Sequence, residues 1–249
     1  MIAAAPLRLA ATVLLVRDDP FEVLMVKRSA TGAFPSALVF PGGVVDDGDW
    51  AAHWFGLCDG HEQLAPKDIA IRIAGLRECW EEAAVLAAHG EFKLDLHAAK
   101  PLPLHHLMSK LGARFDLNSM VHFAHWITPQ TSPKRWNTYF LIARAPADQR
   151  LQSDGYETVS AEWVAPEKAI AMADRGERDL LFSTRANLHL LAQSSSADEA
   201  IAAARLRPRF EVHPQAERKP DGIRVFISEK AGYPVSQGWV KANLGMRSV

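Results

Sequence analysis

The sequence has little of what ties a chain to an oxidising compartment, a polyanion or a bilayer. It holds two cysteines, Cys58 and Cys79, in 249 residues. Two thiols make no disulfide framework, which excludes a small stapled secreted scaffold and suits a reducing compartment. A cytoplasmic location is therefore expected. Neither sign of charge is in excess: 28 Lys and Arg stand against 29 Asp and Glu, for a formal net charge of −1. No long-range field gathers polyanions, so no nucleic-acid partner is expected. No apolar run approaches the ~20 residues needed to span a bilayer, so no membrane partner is expected either. Residues 1–16 are apolar but lack a basic start and are interrupted by Arg8, which favours a buried strand over a signal peptide. The last residues, Arg247-Ser248-Val249, are not a Ser-Lys-Leu peroxisomal address. Internal repeats and long low-complexity linkers are also missing.

What is there suits one sizeable core. Apolar residues make up 48% of the chain, enough for one large domain or a domain with an extension. The organising stretch is Arg77-Glu78-Cys79-Trp80-Glu81-Glu82. On a helix, Glu78, Glu81 and Glu82 stand at i, i+3 and i+4 and share a face. Ile69, Ile73, Leu76, Trp80 and Ala83 fall on the other face and dock on a core. Three carboxylates so placed repel one another unless a cation sits among them, and oxygen-rich clusters suit Mg²⁺ or Mn²⁺. Arg77, four residues before Glu81, is placed to hold that carboxylate. Taken alone, such a run is also what a solvated acidic helix face looks like. Upstream, Phe40-Pro41-Gly42-Gly43 precedes an acidic turn, Asp46-Asp47-Gly48-Asp49. Paired glycines let backbone approach a ligand closely.

Gly43, five residues, Asp49, and later Arg77-Glu78-x-x-Glu81-Glu82 together resemble the signature of the Nudix hydrolases. Three departures stand out. Asp49 and Ala84 occupy positions where that family has Glu and Gly, and 27 residues separate Asp49 from Arg77 where the family has seven. A split box of this kind resembles the peroxisomal-type coenzyme A diphosphatase branch and its bacterial relatives. Trp126-Ile127-Thr128-Pro129, followed by Arg135-Trp136-Asn137-Thr138-Tyr139-Phe140-Leu141, extends that likeness to roughly residues 8–190.

The resemblance implies an α/β fold, a Nudix-type α/β/α sandwich with a mixed sheet. Residues 1–175 would form the hydrolase domain, with an insert at about 50–66. Residues 176–249 would add a helical extension and tail that completes the substrate pocket or forms a dimer contact, so a homodimer is compatible with this organisation. Strands are expected at Leu9–Arg17, Phe21–Arg28, Ala37–Phe40, Ser119–Thr128, Lys134–Ala143, Glu157–Val164 and Ile223–Ser228. Helices are expected at Pro66–Ala88, stopped by Gly90, and at Leu102–Leu111, Pro166–Asp174, Ser183–Gln193 and Ser196–Arg205. The stretch Pro208–Pro220 reads as a polar, proline-interrupted tail. The insert's Trp50, Trp54 and Phe55 are expected to pack on the core or roof the site. His53, Cys58 and His61 match no zinc-finger spacing and lack a fourth ligand.

The implied chemistry is metal-dependent attack of water on a small-molecule diphosphate. Glu78, Glu81 and Glu82 would hold Mg²⁺ or Mn²⁺, with the Gly43 carbonyl beside them. Glu81, Glu82 and Arg77 form the expected catalytic set, and Asp49 braces the loop-to-helix turn. Gly42, Arg28 and Arg135 are expected at the substrate, where an Arg pairs well with phosphate; Lys134 is a further cation in that region. Glu157 and His125 are candidate bases, although a strand-start acid and a satisfied sheet histidine are the plainer readings. Coenzyme A or acyl-coenzyme A is the first substrate expectation. ADP-ribose, a nucleotide sugar or a dinucleotide is the second, because position 33 is Ala where many bacterial coenzyme A hydrolases have Arg. A non-catalytic nucleotide-sensing module is the third.

Overall fold

The computed structural model describes residues 5–31, 34–89, 102–130, 132–147, 149–220 and 222–240. In chain order the first half contains β1 (Leu7–Arg17), β2 (Glu22–Arg28), β3 (Ala37–Val39), β4 (Gly42–Val44), β5 (Cys58–Asp59), α1 (Pro66–Ala83), α2 (Leu104–Leu111) and β6 (Phe115–Asp116). Then come β7 (Val121–Ile127), β8 (Arg135–Arg144), β9 (Thr158–Val164), α3 (Pro166–Asp174), β10 (Asp179–Leu180), α4 (Phe182–Leu191) and α5 (Ala197–Leu206). The last elements are β11 (Glu211–Val212), β12 (Gln215–Lys219), β13 (Gly222–Phe226) and β14 (Gln237–Val240).

Strand β1 is the axis of a nine-stranded mixed sheet ordered β10-β3-β2-β1-β8-β7-β11, with β4 beside β1 and β9 beside β2. It runs parallel to β8, from Leu7 against Arg135 to Val16 against Arg144. Its side chains are apolar on both faces because both faces are covered. Val13 and Leu15 join Leu24, Ile73, Leu76 and Trp80 under α1. Leu14 and Val16 join Met25, Phe140, Ile170, Leu188 and Ala200 under α3, α4 and α5. The result is the expected α/β/α sandwich, built on the period-two alternation of one strand.

Several boundaries differ from the sequence reading, with physical causes. Helix α1 opens with Pro66 in its first turn, where a missing N–H costs nothing. It was expected to reach Ala88 but ends at Ala83. Ala84 turns left-handed (φ 56°) and donates its N–H to the Trp80 carbonyl at 2.9 Å. Gly90, the expected stop, lies outside the described residues. The insert packs rather than roofs: Trp54 is buried, donates from Nε1 to the Gly48 carbonyl at 2.9 Å and stacks on Phe115. Trp50 and Phe55 remain exposed, and β5 pairs with β6.

The extension contains the two expected helices. Ser196 caps α5 by accepting the Glu199 N–H at 3.2 Å. Beyond them, the region read as a tail with one strand forms an antiparallel sheet, β12-β13-β14. Partly buried hydrogen bonds fasten this end to the core. Trp126 Nε1 donates to the Tyr233 hydroxyl at 2.9 Å, and that hydroxyl donates to Asn187 Oδ1 at 2.8 Å.

Candidate active site

Two buried acids of α1 face the double-glycine turn of β4. Glu78 is 9% exposed and Glu82 is 2% exposed. The Gly42 N–H donates to Glu82 Oε2 at 3.0 Å. A Cβ on Gly43 would stand 2.1 Å from Glu78 Oε1, so only a residue without a side chain lets this carboxylate lie against the backbone. The turn is held in place by pairing of Gly42 and Gly43 with Thr12 and Ala11 of β1.

Arg77 is the hub behind these acids. Nε and Nη2 reach the two oxygens of Asp49, each at 3.0 Å, while Nη2 also donates to the Val44 carbonyl at 2.9 Å. Nη1 donates to Glu78 Oε1 and Glu81 Oε2, both at 2.8 Å. Such a two-pronged guanidinium–carboxylate pair fixes geometry as well as charge. Asp49, 2% exposed, also accepts the Asp46 N–H at 2.8 Å. It thus ties the acidic turn to the helix. The three glutamates do not converge equally: Glu78 and Glu81 meet at Arg77, whereas Glu82 stands against Gly42. Glu81 keeps a half-exposed side chain and does not line the cleft described below.

Burial dominates the electrostatics. Desolvation pushes the Glu82 carboxyl up to about 8, with the neighbouring Glu78 adding to the rise and the Gly42 N–H and Arg28 opposing it. Desolvation lifts Glu78 to about 7, against the pull of Arg77. Glu82 Oε1 is buried with no hydrogen-bond partner, and Arg28 Nη1 stands 3.8 Å away. Two desolvated carboxylates, one with an orphaned oxygen, make a donor set suited to a hard divalent cation. Among the described residues no group of three or more His, Cys, Asp or Glu side chains is arranged to hold a metal by itself. The pair therefore leaves most of a cation's coordination to backbone, water or substrate oxygens, a pattern typical of Mg²⁺.

A cleft of ≈ 770 Å³ opens from Glu78 across the sheet. Arg28, Gly42, Gly43, Lys134, Arg135 and Glu157 all line it, whereas Arg77, Glu81 and Glu82 do not. Arg135 donates to the carbonyls of Thr128 (3.4 Å) and Ala5 (3.3 Å), which holds its guanidinium at the rim. Glu157 adds its charge to those acting on Glu78 and Glu82. Its loop is set by Asp154, whose Oδ1 accepts the N–H groups of Tyr156 and Thr158, both at 2.9 Å. The Thr158 hydroxyl also donates to the Glu82 carbonyl at 3.0 Å, joining the loop to the end of α1. Asp154 was missed in the sequence, although an Asp two residues before a turn's N–H is a known local signal.

His125 is a packed sheet histidine. It is buried, hydrogen-bonds Asn137, stacks on Tyr139 with ring centroids 4.0 Å apart, and is not on the cleft wall. His53, Cys58 and His61 do not gather. His53 meets the His105 ring at a tilt of 33°, Cys58 is buried, and His61 Nδ1 lies 3.2 Å from the Cys58 carbonyl.

No family model matches the chain. It is similar to the acyl-coenzyme A diphosphatase NUDT19 of Xenopus laevis, with 23% identity over 60% of this chain and 54% of that protein. Putative nudix hydrolase 7 of Caenorhabditis elegans is 25% identical over 68% of this chain and 55% of its own length. The chain spans about half the length of these curated relatives. A solved NUDIX hydrolase from Alicyclobacillus acidocaldarius superposes with a TM-score of 0.68 at 27% identity, covering 83% of this chain and all of that one.

Proposed function

For a chain that belongs to the Nudix hydrolase family, we propose hydrolysis of a small-molecule diphosphate linkage. Coenzyme A or an acyl-coenzyme A is the substrate, and 3′,5′-ADP and (acyl-)4′-phosphopantetheine are the products. The observation that supports this reading best is the buried Glu78–Glu82 pair against the Gly42–Gly43 turn, at the base of a cleft rimmed by Arg28, Lys134 and Arg135. The similar NUDT19 proteins of Xenopus laevis and Homo sapiens, acyl-coenzyme A diphosphatases, support the same substrate class.

Glu78 and Glu82 would hold Mg²⁺ or Mn²⁺, with the Gly43 carbonyl adjacent. Bound there, the cation supplies charge neutralisation of the diphosphate and a water of lowered pKa. The protein's own groups do the rest. Arg77 fixes the Glu78 and Glu81 carboxylates, and Asp49 fixes Arg77. The Gly42 N–H orients Glu82. Glu157 accepts the proton of the attacking water at a carboxylate oxygen. As the new P–O bond forms, the P–O–P bridge breaks and the bridging oxygen leaves on the other phosphate. Arg28 and Arg135 pair with the substrate's phosphates.

No described helix is long and apolar enough to cross a membrane. A cytoplasmic location is part of the same reading, in keeping with two free, buried cysteines.

The test is product identification. Purified protein with Mn²⁺ and coenzyme A should release 3′,5′-ADP, and Glu82→Gln should lower kcat at least a hundredfold while the unfolding midpoint holds. Turnover of ADP-ribose with no release from coenzyme A would replace the substrate. Full activity of Glu82→Gln would remove the catalytic assignment.

A further inference from the structure

The cleft has a floor and an opposing wall of different origin. Alternation along β1 and β8 lays two neighbouring rows on one sheet face, Arg8, Ala10 and Thr12 beside Trp136, Thr138 and Phe140, paired in register. Ala10, Thr12 and Thr138 are small where a packed face would carry Leu or Ile, and the space they leave is the cleft. The opposing wall comes from the extension: the start of α4 with Phe182, then Ala216 of β12 and Ile223 and Val225 of β13. This wall is docked firmly. Phe182 meets Trp126 edge to face at 5.9 Å, and a Cβ on Gly238 of β14 would stand 2.8 Å from the Phe182 ring.

Charge divides the cleft. Arg8, Arg28, Lys134 and Arg135 all come from the hydrolase domain, whereas among the described residues no charged side chain of the extension lines it. The cations suit the phosphate-bearing nucleotide end of a substrate, and the uncharged wall suits an apolar one. Distance agrees with that division. From the Gly42–Gly43 turn on β4 the cleft crosses β1 and β8 to Trp126 on β7, three strand spacings of about 4.8 Å each, or ~14 Å. An extended arm leaving the diphosphate at Glu78 would cross the floor and meet the extension's wall.

We propose that β12, β13 and the start of α4 form the binding wall for the apolar acyl arm of the substrate, with Ala216, Ile223, Val225 and Phe182 setting its length preference. This rests on the diphosphatase reading and adds to it the task of residues 176–249. Burying a methylene favours binding by about fourfold, so a partly buried acyl chain should separate substrates clearly.

The experiment measures binding of acetyl- and octanoyl-coenzyme A to the whole 249-residue chain carrying Glu82→Gln, with Mg²⁺, by calorimetry, so that neither is consumed. Octanoyl-coenzyme A should bind at least tenfold tighter than acetyl-coenzyme A. Ala216→Trp, at an exposed position that fills the wall, and Val225→Asp, which charges it, should each reduce that ratio below threefold. Thermal unfolding confirms that both variants are folded. Equal affinities in the parent protein, or a ratio untouched by both substitutions, would overturn the assignment. Hydrolysis by the unsubstituted protein is scored separately. Failure to release 3′,5′-ADP from coenzyme A removes the diphosphatase reading, while the affinity ratio judges the wall itself.

Discussion

Asp49 shows how one short side chain can do a longer one's structural work. The family likeness puts Glu at this position, and the shorter Asp spends both oxygens on Arg77. The pair is almost dry, with side chains 14% and 2% exposed. Removing Asp49 leaves Nε and Nη2 of Arg77 without their carboxylate in a nearly dry site, while Nη1 keeps Glu78 and Glu81, at a cost on the order of 2 kcal/mol. Asp49→Ala should therefore lose about that much stability in urea unfolding and most of its turnover, because the guanidinium that clamps Glu78 loses its own anchor. A loss below ~1 kcal/mol would show that Arg77 does not depend on Asp49. At this scale the sequence was readable where spacing is local. The i, i+3, i+4 pattern of Glu78, Glu81 and Glu82 needed only a helix. The separate fates of Glu81 and Glu82 depend on β4 and Arg77, partners distant in the chain, and were not readable.

Helix α1 is capped by Ala84 in a left-handed conformation, a position where glycine is the usual choice. For alanine that conformation costs about 1–2 kcal/mol. Its methyl group is buried and recovers about 0.8 kcal/mol, while glycine would loosen the unfolded chain by about 0.5–1 kcal/mol. The terms nearly cancel, so Ala84→Gly should shift stability by less than ~1 kcal/mol. Ala84→Val, β-branched and too large, should cost more than ~2 kcal/mol. Equilibrium unfolding of the two variants checks both, and a strongly stabilising glycine would mean the methyl contributes nothing. Elements were readable where one periodicity dominates, as in β1, β8 and α1. Strand β12 was missed because Gln215–Lys219 is exposed at every position, leaving no alternation to read. The end of α1 was misread because alanine advertises helix, not its termination.

Over the whole molecule, one histidine contributes to the acid limit of stability. His122 on β7 is held down to about 4, chiefly by burial, with Arg209, His125 and Arg72 repelling a proton and Asp68 attracting one. The unfolded chain takes up that proton near 6.5. As pH falls from 6.5 through about 4, the unfolded state therefore binds a proton that the fold refuses, and stability declines across that window. His122→Gln should narrow the difference in unfolding free energy between pH 7 and pH 5. An unchanged difference would assign the decline to other groups. The sandwich itself was legible through the likeness to the Nudix signature, and its individual strands and helices through their periodicity. The cleft was not, since it arises from small residues on two strands far apart in sequence and a wall supplied by the last third of the chain.

The Asp49–Arg77 clamp reaches across the entire insert and closes the split motif through space. Continuity of chain between those two residues is thus geometrically redundant, and loop length enters stability only logarithmically. The stretch around exposed Phe55 and Gly56, which does not line the cleft, is accordingly a natural graft point. A reporter or tether spliced there would ride on the protein without retuning the buried acids of α1.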